Sequence, residues 1–215
     1  MKNTKTIWRP NQKNIEYTTE EIADEIAEQS LKDSNWMLCK VDPDGEGVFE
    51  FINKDPFTLM WGIYLIKLCK WPEDMLLYVG MSVTSLYGRF HRFWRTYLGE
   101  CTPKDGPHGC AEGLLKYEEK IGKLDLGPKE NDFSLCRNLK FFVIDDIDLN
   151  KIKTTEYFTD VHGASTPKEP HPKKTFGAIE KHLINKLNPV FNKRGKSDPN
   201  KCPEVLFNQN DLFKI

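Results

Sequence analysis

At 215 residues, with 39% apolar and 29% charged side chains, the chain can form one domain with a sizeable core or a smaller domain with decorations, and this ordinary balance excludes neither an enzyme nor a binding module. No apolar run approaches the roughly 20 residues of a membrane span and no secretory segment opens the chain, so it is expected inside a cell with no membrane partner. A net charge of −1 argues against indiscriminate coating of nucleic acid.

Residues 1–17 are polar, without periodicity, and read as an arm. Thr18 or Thr19 followed by glutamates opens a helix with Ile22, Ile26 and Leu31 on one side, expected to dock on the core. Trp36–Val41 and Val48–Ile52 read as two short strands joined by the turn Asp42-Pro43-Asp44-Gly45, an acidic hairpin suited to support or an oligomer contact. Gly62-Ile63-Tyr64-Leu65-Ile66-Lys67-Leu68 and Met75-Leu76-Leu77-Tyr78-Val79-Gly80 form a second antiparallel hairpin. A loop symmetric about Trp71 places Tyr64 directly opposite Tyr78, on one face of the sheet.

From Thr84 to Tyr97 the recurrence of Leu86, Phe90, Phe93 and Tyr97, with Trp94 beside them, predicts an amphipathic helix. Arg89 lies at the border of its apolar stripe, Arg92 one turn further, and His91 and Arg95 on the solvated side. A modest helix is expected from about Ala111 to Gly122, and a strand over Asn138–Ile144. Asp145 to Lys174 is long, polar and without pattern, which in a compact domain marks an insertion. Thr175 is expected to cap a final helix that must end by Pro189. On that helix Glu180 lies between Phe176 and Leu183, Ile184 and Leu187, in the middle of the apolar stripe. A carboxylate facing a core is costly unless paired or bound to metal. A buried pair with Arg89 is one solution, and a Mg²⁺ ligand is the other, since Mg²⁺ keeps several waters and takes only one or two carboxylates. Lys193-Arg194-Gly195-Lys196-Ser197 is a basic loop suited to phosphates, and the tail beyond it is apolar enough to pack on the domain or on a second copy.

Six cysteines without a CxxC pair suit free thiols in a reducing compartment. Cys101, His108 and Cys110 cluster, with Cys136 as a further donor, but the spacing fits no zinc motif and small buried thiols beside a loop histidine are the plainer reading.

Gly62-Ile63-Tyr64, then Tyr78-Val79-Gly80, Arg89 on the next helix, Glu180 on a later one, and Asn192 beyond Pro189 together resemble the GIY-YIG nucleases. The ordered set is specific where any one tripeptide is not. The resemblance implies an α+β fold, a small antiparallel three-stranded sheet flanked by helices, over residues 61–192, with insertions at 101–137 and 145–174, an N-terminal extension over 1–60 and a basic tail from 193 to 215. It implies Mg²⁺-dependent endonucleolytic hydrolysis of double-stranded DNA, with Mn²⁺ as the other candidate metal. Tyr64 would position or deprotonate the water, Tyr78 and Arg89 would hold the scissile phosphate, Glu180 would bind the metal, and Asn192 would orient groups around the site.

Charge supports the assignment: residues 61–100 and 161–215 carry net +2 and +5, whereas 1–60 and 101–160 carry −5 and −3. Arg92, Lys173, Lys174, Lys193, Arg194 and Lys196 are the expected phosphate contacts. No helix-hairpin-helix module is evident and only 23 residues follow Asn192, so the chain is most like a restriction enzyme, with a homodimer on a palindromic site and a bacterial or phage cytoplasm as its setting. Structure-specific or mobile-element nucleases and a non-catalytic DNA-binding module of the same fold are the alternatives. Two departures bear on the general base. Met81 stands where many relatives carry lysine, and Phe93 stands where some restriction-type relatives carry histidine one helical turn past the arginine.

Overall fold

The computed structural model describes residues 16–38, 40–41, 47–48, 61–69, 74–101, 104, 106–122, 139–145, 147–153, 157–159, 165–167 and 171–192. Helix α1 spans Thr19–Ser30, short strands β1 Met37–Leu38, β2 Lys40–Val41 and β3 Gly47–Val48 follow, and the hairpin is β4 Gly62–Leu68 and β5 Met75–Ser82. Then come α2 Leu86–Tyr97, α3 Gly109–Gly122, β6 Leu139–Ile144, β7 Tyr157–Thr159, β8 Ser165–Pro167 and α4 Pro172–Leu187.

The fold is α+β: three antiparallel strands in the order β6-β4-β5, flanked by helices, with the two-residue β1 added outside β6. Because β4 is central and covered on both faces, all seven of its residues are buried, which is why its sequence reads as a nearly unbroken apolar run. Alternation along β4 then sorts two cores. Tyr64 and Ile66 join Leu77, Phe90, Phe93 and Phe141 beneath α2 and α3. Ile63 and Leu65 join Val79, Phe142 and Ile144 beneath α1 and α4.

Helix α1 begins with a full capping box, Thr18 Oγ1 accepting the Glu21 amide at 3.1 Å and the Glu21 carboxylate accepting the Thr18 amide at 2.9 Å. Its Ile22 and Ile26 are no more than 2% exposed, and burying each contributes about 1.5–3 kcal/mol to the docking on α4. Leu31 was expected on that side but is 82% exposed: at about 100° per residue, its place nine residues past Ile22 puts it roughly on the opposite side of the helix, in the C-cap. Helix α4 starts at Pro172, three residues before the expected cap. Proline at the first turn needs no amide partner, so it opens the helix and leaves Thr175 buried inside it. Its end is as expected, with Asn188 in the left-handed conformation (φ 47°) ahead of Pro189.

The acidic hairpin is narrower than predicted. Lys40–Val41 pairs with Gly47–Val48, whereas Met37–Leu38 leaves it to pair with β6; the turn at 42–45 and residues 49–52 lie outside the described residues. In the polar stretch after β6, Tyr17 bridges to Ile152 and β7 pairs with β8. One charge sits within the central strand: Lys67, 9% exposed, directly opposite Lys140. Asp33 contacts both ammonium groups at 2.9 Å, Asp74 contacts Lys67 at 2.6 Å, and the Trp36 ring lies 4.6 Å beneath it. These partners together outweigh the desolvation that opposes the charge and hold Lys67 protonated.

Candidate active site

The hairpin pairs Tyr64 with Gly80 and Ile66 with Tyr78, then shifts register so that Lys67 faces Leu76. Tyr64 is therefore diagonal to Tyr78, not opposite it as a symmetric loop required. The offset is two residues, and since side chains alternate with period two both phenols still share a face. Their rings stack at 6.1 Å between centroids, 29° apart.

Both motif glycines are there for close approach. The Tyr64 ring crosses directly over Gly80, where a Cβ would overlap its Cζ and Oη and come within 2.7 Å of Tyr78 Cε1. At Gly62 a Cβ would overlap the Ile144 carbonyl oxygen on β6.

Tyr64 has no exposed surface. Phe90 meets it edge-on at 5.3 Å, and its hydroxyl lies 2.8 Å from His108 Nε2. His108 precedes α3 and accepts the Glu112 amide on its carbonyl, while its own amide donates to Thr96 Oγ1 at 2.9 Å. Its ring is 1% exposed, packed on Phe93 and Tyr78 at 5.4 and 5.2 Å. Its Nδ1 has no hydrogen-bond partner among the described residues. Burial, reinforced by the charges of Arg89 and Arg92, pushes the imidazole pKa down to about 3, so His108 is neutral at physiological pH.

Arg89 reaches this cluster from the border of α2, partly buried and facing Tyr64, Tyr78 and Glu180. Glu180 arrives from the opposite layer, on α4, and reaches round the free edge of β5 to a backbone hydrogen bond at Met81. Between Leu76 and Val79 that edge is covered by the segment after α4. The Val190 and Phe191 amides donate to the carbonyls of Leu76 and Leu77 at 3.1 and 2.8 Å. The Asn192 side chain clips Val79 twice, accepting its amide and donating to its carbonyl, both at 2.6 Å. Asn192 thus spends its amide on the strand that carries Tyr78, covering an edge that would otherwise be left unpaired.

Burial raises Tyr64 far above the ordinary phenol range and Tyr78 to about 12, with Arg89 opposing in both cases. Burial also raises Glu180 to about 6, against the pull of Arg89 and the Met81 backbone. No ion pair joins Glu180 to any described residue, so the expected alternative of a direct Glu–Arg pair is not formed. Glu180 is thus, among the described residues, a half-buried carboxylate without an ion-pair partner, a donor that could hold a divalent cation such as Mg²⁺. Among the described residues no three His, Cys, Asp or Glu side chains converge as a metal site, and His108 Nε2 is engaged with the Tyr64 hydroxyl.

Four of the five motif residues, Tyr64, Tyr78, Arg89 and Glu180, are thereby brought together, with Asn192 behind β5. Arg92 is exposed beside them, and Lys173 and Lys174 are exposed on the first turn of α4. Lys193, Arg194 and Lys196 lie outside the described residues. His108 and Thr96 were not singled out for the site by the sequence: His108 is 44 residues from Tyr64, in a stretch without periodicity, and Thr96 looks like any small residue on a helix. No family model matches the chain, and neither does any curated protein or solved structure.

Proposed function

We propose that the protein is a Mg²⁺-dependent DNA endonuclease of the GIY-YIG type, most like a restriction enzyme acting on double-stranded DNA as a homodimer. The observation that supports this most is the convergence, from four different elements, of a half-buried guanidinium, two phenols and a carboxylate with no ion-pair partner among the described residues. Hydrolysis of a phosphodiester needs charge stabilisation on the phosphoryl oxygens, a poised water and assistance to the departing oxygen. Arg89 supplies a fixed positive charge from a position where water is largely excluded, so its interaction with a phosphate is strong. Glu180 would hold Mg²⁺, which when bound supplies further charge neutralisation and a more acidic water. Such a role would give Glu180 a reason to face Arg89 and Tyr78 that packing alone does not. Of the two phenols only Tyr78 has exposed surface with which to meet substrate. The exposed Arg92 extends the positive surface along α2, as tracking a phosphate backbone requires.

Nicking of a supercoiled plasmid under single-turnover conditions tests the reading. With Mg²⁺ the wild-type protein relaxes and then linearises the plasmid. Arg89→Ala lowers the rate by about 10²–10³-fold, and Glu180→Gln abolishes it while leaving DNA retention in a gel unchanged. Retention without any Mg²⁺-dependent nicking by the wild type points instead to a binding module.

A further inference from the structure

The cluster contains a hydrogen-bond chain whose direction can be worked out. Its first link is the 2.8 Å contact between His108 Nε2 and the Tyr64 hydroxyl, which either atom could donate. The free end of the ring decides between them. If Tyr64 donates, the neutral imidazole carries its proton on Nδ1, an N–H that is fully buried and without a partner. Orphaned buried N–H groups are rare because the donor's hydration is lost with nothing in exchange, whereas a bare acceptor is tolerated more often. The ring therefore keeps its proton on Nε2 and donates to Tyr64. The second link follows. With His108 donating to the Tyr64 oxygen and the Arg89 guanidinium facing it, the Tyr64 proton is turned toward an acceptor, and the Tyr78 hydroxyl is the polar group stacked against it. A hydrogen bond from Tyr64 favours the Tyr78 phenolate, and this is the direction in which Tyr64 acts on Tyr78.

We infer that His108 is a positioning residue of the site: latched by Thr96, it donates from Nε2 to Tyr64 and so points the Tyr64 proton at Tyr78, leaving Tyr78 as the phenol that meets the substrate. This inference rests on the nuclease reading for its catalytic consequence, but not for its structural part. Thr96 is what makes the arrangement rigid. Its hydroxyl donates to the Arg92 carbonyl at 2.8 Å and accepts the His108 amide at 2.9 Å, tying the segment before α3 to the helix that carries Arg89. Histidine arrives here from a loop packed against Phe93, not from the helix position that Phe93 itself fills. The neutral ring is a donor, not a base: burial and two nearby arginines oppose its taking a proton.

Two measurements test this on the intact chain. Long-range ¹H–¹⁵N correlation of the imidazole reads the tautomer without any activity. A protonated Nε2 with a bare Nδ1 is expected; a protonated Nδ1 overturns the inference whether or not the protein cleaves DNA. Plasmid nicking then reads the consequence. A glutamine side-chain amide can place an N–H near the Nε2 position and cannot act as a base, so His108→Gln should keep kcat within about fivefold while His108→Ala loses about 10²-fold at unchanged KM. Thr96→Ser should retain activity and Thr96→Val should fall with His108→Ala. Equal losses in His108→Gln and His108→Ala, with the Gln variant shown folded by its amide spectrum, overturn the donor role. If the wild type cleaves nothing, the nuclease reading fails and the tautomer still decides the rest.

Discussion

Gly80→Ala adds one methyl group at the point where Tyr64 crosses β5, and the surroundings determine what that costs. The new Cβ overlaps Tyr64 Cζ and Oη and lies 2.7 Å from Tyr78 Cε1. Tyr64 has nowhere to retreat, since it is 0% exposed with Phe90 edge-on at 5.3 Å and His108 at its hydroxyl. Overpacking of this kind costs about 1–3 kcal/mol. Displacing the ring also breaks the His108 contact, which adds about 1 kcal/mol. A loss of about 2–4 kcal/mol at a urea m-value of about 2 kcal/mol/M lowers the unfolding midpoint by about 1–2 M. Gly88→Ala is the control: its nearest neighbours are Ser85 Cβ and Oγ at 3.5 Å, and an alanine inside helix α2 gains about 0.5–1 kcal/mol. The two substitutions should therefore move the midpoint in opposite directions. A Gly80→Ala protein as stable as wild type would mean that Tyr64 does not lie across β5, and the site described above would be wrong.

Glu180→Gln gives a pH signature. Burial places the folded-state carboxyl pKa near 6, above the 4.5 of a free side chain, so the folded protein binds the proton more tightly and loses stability as pH rises through that interval. The glutamine variant should be more stable than wild type by about 1 kcal/mol at pH 7.5, after allowance for partial exposure, and indistinguishable below pH 4.5 by thermal melting. Asn192→Ala leaves the Val79 amide and carbonyl without partners and should cost about 2–3 kcal/mol in denaturant unfolding, with Asn192→Asp no better because it loses the donor to the carbonyl. Lys67→Met should change stability by less than about 1 kcal/mol, since the removed charge was costly to bury and the exposed Asp33 keeps Lys140 as partner.

The three long strands, α1, α2 and α4 were legible because each carries a period that local sequence expresses. Tyr64 and Tyr78 were placed on one face correctly and in register incorrectly: parity is set by alternation, but the offset depends on the register shift after Ile66, which nothing in the two apolar runs announces. Leu31 was grouped with Ile22 and Ile26 although, at about 100° per residue, it falls on the far side of the helix from both. Glu180 was found by its place on the stripe of α4, although it reaches the site by passing round the edge of β5, a route that depends on which strand is outermost. Asn192 was identified by position while its use, a clip on Val79, is a matter of which backbone groups that edge leaves unpaired. His108 escaped because its partner is 44 residues away and the intervening segment has no pattern, so only the tertiary fold brings imidazole and phenol together. The burial of Lys67 depends on Asp33, Asp74 and Trp36, which lie elsewhere in the chain.

The most direct test of the account is incubation of the protein with mixed genomic and plasmid DNA, with Mg²⁺ and with chelator, beside Glu180→Ala. The account predicts discrete fragments that require Mg²⁺, disappear in the variant and share a common sequence at their ends. Intact DNA in every tube, with wild type and variant retaining it equally, would contradict it.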